Sequence, residues 1–163
     1  MDVVEGKSKI KGGGLFAARA FRRGGRIIRM SGKRMSERQI DKLIERGKLR
    51  LDDPFEISNG RYIVLDPLPL LANHSCNPNA GVRGIDELVA LRAIKKGEEI
   101  TYDYSTMVGD TAPHETPWTM RCRCGGKTCR TKVGNWRTIP PARLAHYKRQ
   151  DALPTFVQKL ANG

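Results

Sequence analysis

The stretch Asn73-His74-Ser75-Cys76-Asn77-Pro78-Asn79 decides how this 163-residue chain is read. It packs amide, imidazole, hydroxyl and thiol groups into seven residues that end in turn formers. Buried, such a run needs a partner for each polar group, at roughly 1 to 3 kcal/mol for each one left unpaired. Its cysteine gains meaning from the other three, Cys122, Cys124 and Cys129, which form a Cys-x-Cys-x4-Cys cluster in a basic, glycine-containing loop. Four thiolates suit one closed, tetrahedral, structural zinc site. On this reading Cys76 is the distant fourth ligand, and the metal pins the tail of the chain onto the Asn73 loop. His114 is the alternative fourth ligand; it would make the site local and leave Cys76 without a role. Arg121, Arg123, Lys127 and Arg130 flank the cluster and can offset its negative charge while favouring the thiolate form.

Composition sets the frame around this stretch. At 39% hydrophobic residues the chain reads as one domain with a modest core, burying roughly 70% of its unfolded surface. The most apolar run, residues 62–72, is broken by Asp66, Pro67 and Pro69, well short of the ~20 residues of a membrane helix. Met1-Asp2-Val3-Val4-Glu5 lacks the basic-then-apolar order of a signal peptide. An intracellular location is expected, cytoplasmic or, in a eukaryote, nuclear, with no membrane partner. Closely spaced cysteines in that setting favour metal over disulfides. Thirty Lys plus Arg against seventeen Asp plus Glu leave a net charge of +13, either a solvated basic surface or one that contacts nucleic acid non-specifically.

Outward from the central stretch, Lys11-Gly12-Gly13-Gly14-Leu15-Phe16-Ala17 places a glycine turn before an apolar strand, where backbone can approach a ligand closely. Arg26-Ile27-Ile28-Arg29-Met30 reads as a second short strand. Ser36 and Gln39 form a capping box, Met35 and Ile40 a hydrophobic staple, and Gly47 a stop, so a surface helix follows Ser36 with Ile40, Leu43 and Ile44 as its apolar stripe. Phe55-Glu56-Ile57-Ser58 and Arg61-Tyr62-Ile63-Val64-Leu65 flank Asn59-Gly60, a hairpin with a type I′ turn. Further strands are expected at 80–83, 88–94 and 100–104, then an irregular loop over 105–118, and one or two short helices beyond Pro140. On that last strand Tyr102 and Tyr104 would share a face, with Asp103 turned the other way toward solvent or a loop. His74 reads as a satisfied structural histidine.

In this order, these pieces resemble a SET-domain protein lysine methyltransferase over residues 9 to 133. The glycine segment is similar to the family's first motif, the Asn73 stretch to its signature loop, and Gly97-Glu98-Glu99-Ile100-Thr101-Tyr102-Asp103-Tyr104 to the strand that follows it. Cys122-Arg123-Cys124-Gly125-Gly126-Lys127-Thr128-Cys129-Arg130 resembles the post-SET zinc motif, whose fourth ligand is the cysteine of the signature loop. The resemblance implies a mostly β, knotted β-clip fold of short strands with a few short helices and a C-terminal four-cysteine zinc knot. It implies a SET domain at 9–118, a post-SET motif at 119–135 and a helical extension at 136–163 packed on the domain.

The implied activity is S-adenosylmethionine-dependent methylation of lysine in a basic protein such as a histone or histone-like protein. The implied structural metal is Zn²⁺ on Cys76, Cys122, Cys124 and Cys129. Gly12, Gly13, Gly14, Leu15, Asn73, His74 and Tyr104 would hold the cofactor, with Val133 or Trp136 over its adenine. Tyr104 would lie beside the transferred methyl, and Tyr102 would tune how many methyl groups fit. Many members carry a further channel tyrosine just before the strand containing Phe55, where this chain has Asp52, Asp53 and Pro54. A basic substrate would need an acidic groove, for which Glu98, Glu99, Asp103, Asp110 and Glu115 are candidates. The competing function is a non-catalytic SET-like module that binds nucleic acid or a chromatin-like partner.

Overall fold

The computed structural model describes residues 1–51, 53–58, 60–110 and 117–163; Asp52, Asn59, His114 and Glu115, which figure in the expectations above, lie outside the described residues. In chain order the elements are β1 (Val3–Lys7), β2 (Gly13–Ala17), β3 (Arg26–Arg29), β4 (Gly32–Ser36), α1 (Glu37–Glu45), β5 (Pro54–Ser58), β6 (Arg61–Leu65), α2 (Pro67–Leu70), β7 (Asn73–His74), β8 (Ala80–Arg83), β9 (Glu87–Ala90), β10 (Glu99–Tyr102), β11 (Met120–Arg121), β12 (Lys132–Val133), α3 (Pro141–Arg149) and α4 (Thr155–Asn162). Tyr104–Met107 and Trp136–Thr138 are 3-10 turns. The strands form small sheets in the orders β1-β2-β10-β7, β3-β9-β8 and β4-β6-β5, with β11-β12 as a separate ribbon. The chain is thus mostly β with short helices, as its punctuation by Gly and Pro requires. Among the described residues no helix is long and apolar enough to cross a membrane.

Local signals place most of these elements. The capping box forms, with the Ser36 N–H donating to Gln39 Oε1 at 2.9 Å, and Ile40 is the fully buried anchor of α1. The hairpin of β5 and β6 pairs Ser58 with Arg61, with a register shift between Glu56 and Ser58. The opening segment forms a strand of its own: β1 pairs with β2 antiparallel, from Val3 opposite Ala17 to Lys7 opposite Gly13. Two expectations need correction. The strand expected over 88–94 ends at Ala90, and Ile94 keeps only a bridge to Phe21. β10 ends at Tyr102 because the Asp103 carboxylate accepts the Ser105 N–H at 3.1 Å and turns the chain into a 3-10 helix that begins at Tyr104.

The two-residue period of a strand distributes the core. On β9 and just beyond it, Leu88 and Ala90 enter the main core with Leu15, Phe55, Ile63, Val82 and Ile100. Val89 and Leu91 enter a second core with Trp136, Tyr147, Leu153 and Val157, so α3 and α4 cover the opposite face of the same sheet. Gly81 on β8 makes that approach possible: a Cβ there would lie 2.8 Å from the Ala152 carbonyl oxygen and 2.9 Å from its Cβ. A third, small cluster joins Cys76 and Cys122 to Val133.

Candidate active site

The centre of the site is the junction where β7 lies parallel to β10, with Thr101 opposite Asn73 and Tyr102 opposite His74. Asn73 is buried, and its amide nitrogen donates to the Gly13 carbonyl at 2.9 Å, to Glu99 Oε1 at 2.9 Å and to Ser8 Oγ at 3.2 Å. Ser8 Oγ in turn donates to Glu99 Oε1 at 2.7 Å. This polar knot fastens the glycine segment to β7 and β10. Gly14 lies inside it, since a Cβ there would stand 2.7 Å from Glu99 Oε1 and 2.9 Å from Ser8 Cβ. Gly12, by contrast, has φ +46 and nothing within 4 Å of a built Cβ, so backbone there faces open space.

At the far end of β10 the rings of Tyr102 and Tyr104 pack with centroids 4.8 Å apart, and Phe55 closes on Tyr102 at 6.3 Å. The two tyrosines meet although only the first is on the strand, because the 3-10 turn swings the second back. The Tyr104 hydroxyl donates to the Ala72 carbonyl at 2.8 Å, immediately before Asn73. Burial holds the Tyr102 phenol well above its ordinary pKa, with Tyr104 adding to the effect, so it stays protonated. His74 is satisfied on both nitrogens: Nδ1 accepts the Tyr104 N–H at 3.1 Å and Nε2 lies 3.3 Å from Cys76 Sγ. That pattern puts the proton on Nε2. Burial lowers the His74 pKa to about 4 against the pull of Asp103, with Arg130 acting in the same direction as burial, so the ring is neutral at physiological pH.

The structure brings the four cysteine sulfurs together, all within 4.8 Å of one another. Cys76 Sγ and Cys122 Sγ are 3.6 Å apart, too far for a disulfide and close to the about 3.8 Å edge of a tetrahedron with zinc–sulfur bonds of about 2.3 Å. Backbone N–H groups of Arg130, Cys124 and Thr131 point at Cys76, Cys122 and Cys129 from 3.3 to 3.4 Å, the donor pattern that thiolates require. The donor set fits Zn²⁺. Arg130 also donates from Nε to Cys76 Sγ at 3.4 Å and forms a 2.6 Å ion pair with Asp103. Asp103 is 2% exposed and takes a further hydrogen bond from the Tyr147 hydroxyl at 3.2 Å, so of its two expected surroundings, solvent or a loop, it has the loop, as a buried carboxylate paired with Arg130.

Residues 12–105, more than half of the chain, match the SET domain. The chain belongs to the SET-domain family. It is 32% identical over 151 residues to the histone-lysine N-methyltransferase trr of Drosophila melanogaster, covering 79% of this chain and 6% of that protein. It is 34% identical over 139 residues to histone-lysine N-methyltransferase 2B of Homo sapiens, covering 76% of this chain and 5% of the other. Among solved structures it resembles a humanized mutant of the Chaetomium thermophilum Polycomb Repressive Complex 2 bound to the inhibitor GSK126, with a TM-score of 0.55 and 25% identity over 64% of this chain and 15% of that one. The chain therefore spans only a small fraction of the relatives it matches.

Within this SET domain the remaining expected residues fall in different surroundings. Val133 is buried beside the cysteines, whereas Trp136 is 7% exposed in the second core with its indole N–H on Asp110 at 2.9 Å. The four acidic groove candidates that the structure describes each have a partner within the protein. Glu98 is taken by Arg92 and Asn79, Glu99 by Ser8 and Asn73, Asp103 by Arg130, and Asp110 by Arg137 and Trp136. Sequence reading missed the strut role of Arg130 and the fastening role of Ser8. The only signal for the first was a basic residue next to a cysteine; none pointed to the second.

Proposed function

We propose that the chain is an S-adenosylmethionine-dependent protein lysine N-methyltransferase that acts on a basic protein of the histone class. The observation that carries this reading is the Tyr104 hydroxyl held on the Ala72 carbonyl beside the Tyr102 ring, at the end of the strand that Asn73 fastens to the glycine segment. The names of the relatives, all histone-lysine N-methyltransferases, support the substrate class.

The backbone of Gly12, Gly13, Gly14 and Leu15, with that of Asn73 and His74, would hold the cofactor. The Asn73 amide and the His74 ring are already engaged, so their part is to fix the strand geometry. S-adenosylmethionine, when bound, supplies a methyl group on a sulfonium, which passes to the lysine nitrogen while its bonding electrons stay on sulfur. For lysine, with a pKa of about 10.4, loss of the proton at pH 7 requires roughly 4 to 5 kcal/mol. Phe55, Tyr102 and Tyr104 disfavour the ammonium by excluding water around it, and the Tyr104 hydroxyl and Ala72 carbonyl orient the amine toward the methyl. No general base is assigned, in keeping with the neutral, doubly engaged His74. Val133 and Trp136, at 0% and 7% exposure, are assigned to packing rather than to an adenine cover. Zn²⁺ on Cys76, Cys122, Cys124 and Cys129 is structural, and the division into residues 9–118, 119–135 and 136–163 follows the site and the two later clusters.

Transfer of tritium from labelled S-adenosylmethionine to mixed histones tests the reading. Tyr104→Phe should lower the rate by about 10²-fold or more while cofactor binding persists. An unimpaired variant removes Tyr104 from its role, and cofactor binding with no transfer to any protein favours a non-catalytic module. Tyr102→Phe should raise the number of methyl groups added, read by mass spectrometry of the product; trimethyllysine as the main wild-type product would count against it.

A further inference from the structure

The net charge of +13 is unevenly placed along the chain. No acidic residue occurs between Glu5 and Glu37, and residues 141–163 hold a single one, Asp151. The fold brings these two acid-poor stretches together: Arg23, in the turn before β3, donates from Nε to Gln150 Oε1 at the end of α3 at 2.7 Å. Along α3, Arg143, His146 and Arg149 recur every third residue and so share one side of the helix. Arg23 and Arg149 are exposed and Arg143 is half-buried. Burial lowers the His146 pKa, and the charges of Arg143, Arg149 and Arg23 lower it further, as cations converging on one place do. Among the described residues eight arginines pair with a carboxylate, whereas Arg23, Arg143 and Arg149 pair with none. Cations elsewhere are offset locally. On α1 and at its end Arg38, Lys42 and Arg46 each follow an acidic residue, and the cations of the cysteine loop flank four thiols that fit a zinc centre of negative charge.

We propose that the surface formed by Arg23 with Arg143, His146 and Arg149 binds the phosphate backbone of double-stranded DNA without reading its sequence. Unpaired arginines suit this partner, because each planar fork matches two phosphate oxygens at once. Phe21 and Tyr147, the aromatic residues next to this surface in the chain, are buried at 3% and 1% exposure, so no ring is offered for stacking on the bases of a single strand. None of the exposed large apolar residues lies in residues 19–26 or 141–151, so the surface lacks the apolar anchor that membrane binding uses. The binding stands apart from the methyltransferase reading, and only its use rests on that reading. Tyr147, beside His146 on the same helix, donates to Asp103, which caps the tyrosine turn, so DNA on α3 is held by an element that braces the site. A histone-class substrate and this chain are both basic, and the described carboxylates expected to draw them together are taken within the protein. DNA that carries the substrate supplies the attraction instead.

The test is fluorescence anisotropy of a short labelled duplex titrated with the protein, without cofactor, at several salt concentrations. Each phosphate contact contributes about −0.9 to the slope of log K against log salt, so replacing Arg23, Arg143 and Arg149 together by Gln should flatten that slope by about 2 to 3 and weaken binding about tenfold at about 0.1 M salt. A control of equal charge change on α1, Arg38→Gln with Lys42→Gln and Arg46→Gln, should leave affinity within about threefold of wild type. Because Arg143 is half-buried, the exposed pair Arg23→Gln with Arg149→Gln provides a variant whose folding is not at risk, and it should flatten the slope by about 2. Equal weakening by the α1 control, a slope unmoved by the exposed pair, or tighter binding to the single strand or to anionic lipid vesicles than to the duplex overturns the surface. Methyl transfer is measured separately, on histones assembled on DNA and on a free lysine peptide; the exposed pair should slow the first and spare the second. Duplex binding of the expected kind with no transfer to any protein leaves the surface standing and sinks the enzymatic reading instead.

Discussion

Asn73 and Glu56 illustrate opposite fates of a buried polar group. The Asn73 amide serves Gly13, Glu99 and Ser8, so Asn73→Ala should destabilise the fold by about 1 to 3 kcal/mol, read by urea unfolding, since it leaves the Gly13 carbonyl without this donor and Glu99 with Ser8 alone. Glu56 has the reverse problem. With its pKa raised from 4.5 to about 7, the folded chain binds more protons than the unfolded one between those values. The stabilisation from protonated Glu56 is therefore fully present below about pH 4.5 and is lost as pH rises through about 7. Relative to wild type, Glu56→Gln should gain up to about 3 kcal/mol in stability as pH rises from 4.5 to 7.5. A stability difference that stays flat with pH would show that Glu56 does not titrate in this way. Neither fate is legible from residue type: Asn73 stands out by its motif, while Glu56 sits between Phe55 and Ile57 in an ordinary alternation of apolar and polar residues. Both faces of β5 are covered, so alternation along it no longer separates inside from outside.

Among the elements, the 3-10 turn after β10 is held from three directions. Asp103 caps it through the Ser105 N–H, Arg130 pairs with Asp103 from the cysteine loop, and Tyr147 reaches Asp103 from α3. Arg130 thereby links Cys76, the tyrosine turn and, through its contact with the Thr138 carbonyl, the start of the C-terminal helices. Arg130→Leu should cost about 3 to 5 kcal/mol in urea unfolding, because it leaves the Asp103 charge buried without its partner. Arg130→Lys should cost less, yet it cannot serve Asp103, Ser105 and Cys76 together, so methyl transfer should fall more than stability does. Equal losses in the two measurements would mean that Arg130 supports only the fold.

At the scale of the molecule, the cysteine cluster joins a loop at Cys76 to a tail more than forty residues later, and its contacts with Arg130 carry that closure to the tyrosine turn. A structural zinc of this kind contributes on the order of 10 kcal/mol to folding. Metal analysis should give one zinc per chain, and chelation should lower the melting temperature by more than about 10 °C, on the scale of a loss of several kcal/mol. The four thiols should react with a thiol reagent only after chelation. Thiols that react fully in untreated protein, with no change in melting, would argue against a structural metal.

The sequence alone determined the strand after the glycine turn, the hairpin around Gly60, the helix capped at Ser36, the grouping of signature loop with cysteine motif, and so the family. Those features are local: they rest on residue types at short spacing, where turn chemistry, capping and periodicity act within a few residues. Only the tertiary structure decided which carboxylates are partnered, that Asp103 is buried on Arg130, that Tyr104 returns to Tyr102 from outside the strand, and that Glu56 is buried with one oxygen unpaired. Ser8 and Glu99 are 91 residues apart, and Arg130 and Asp103 are 27 apart. Whether such pairs meet depends on how separate sheets stack and which face each covers, and no pattern along the chain encodes that.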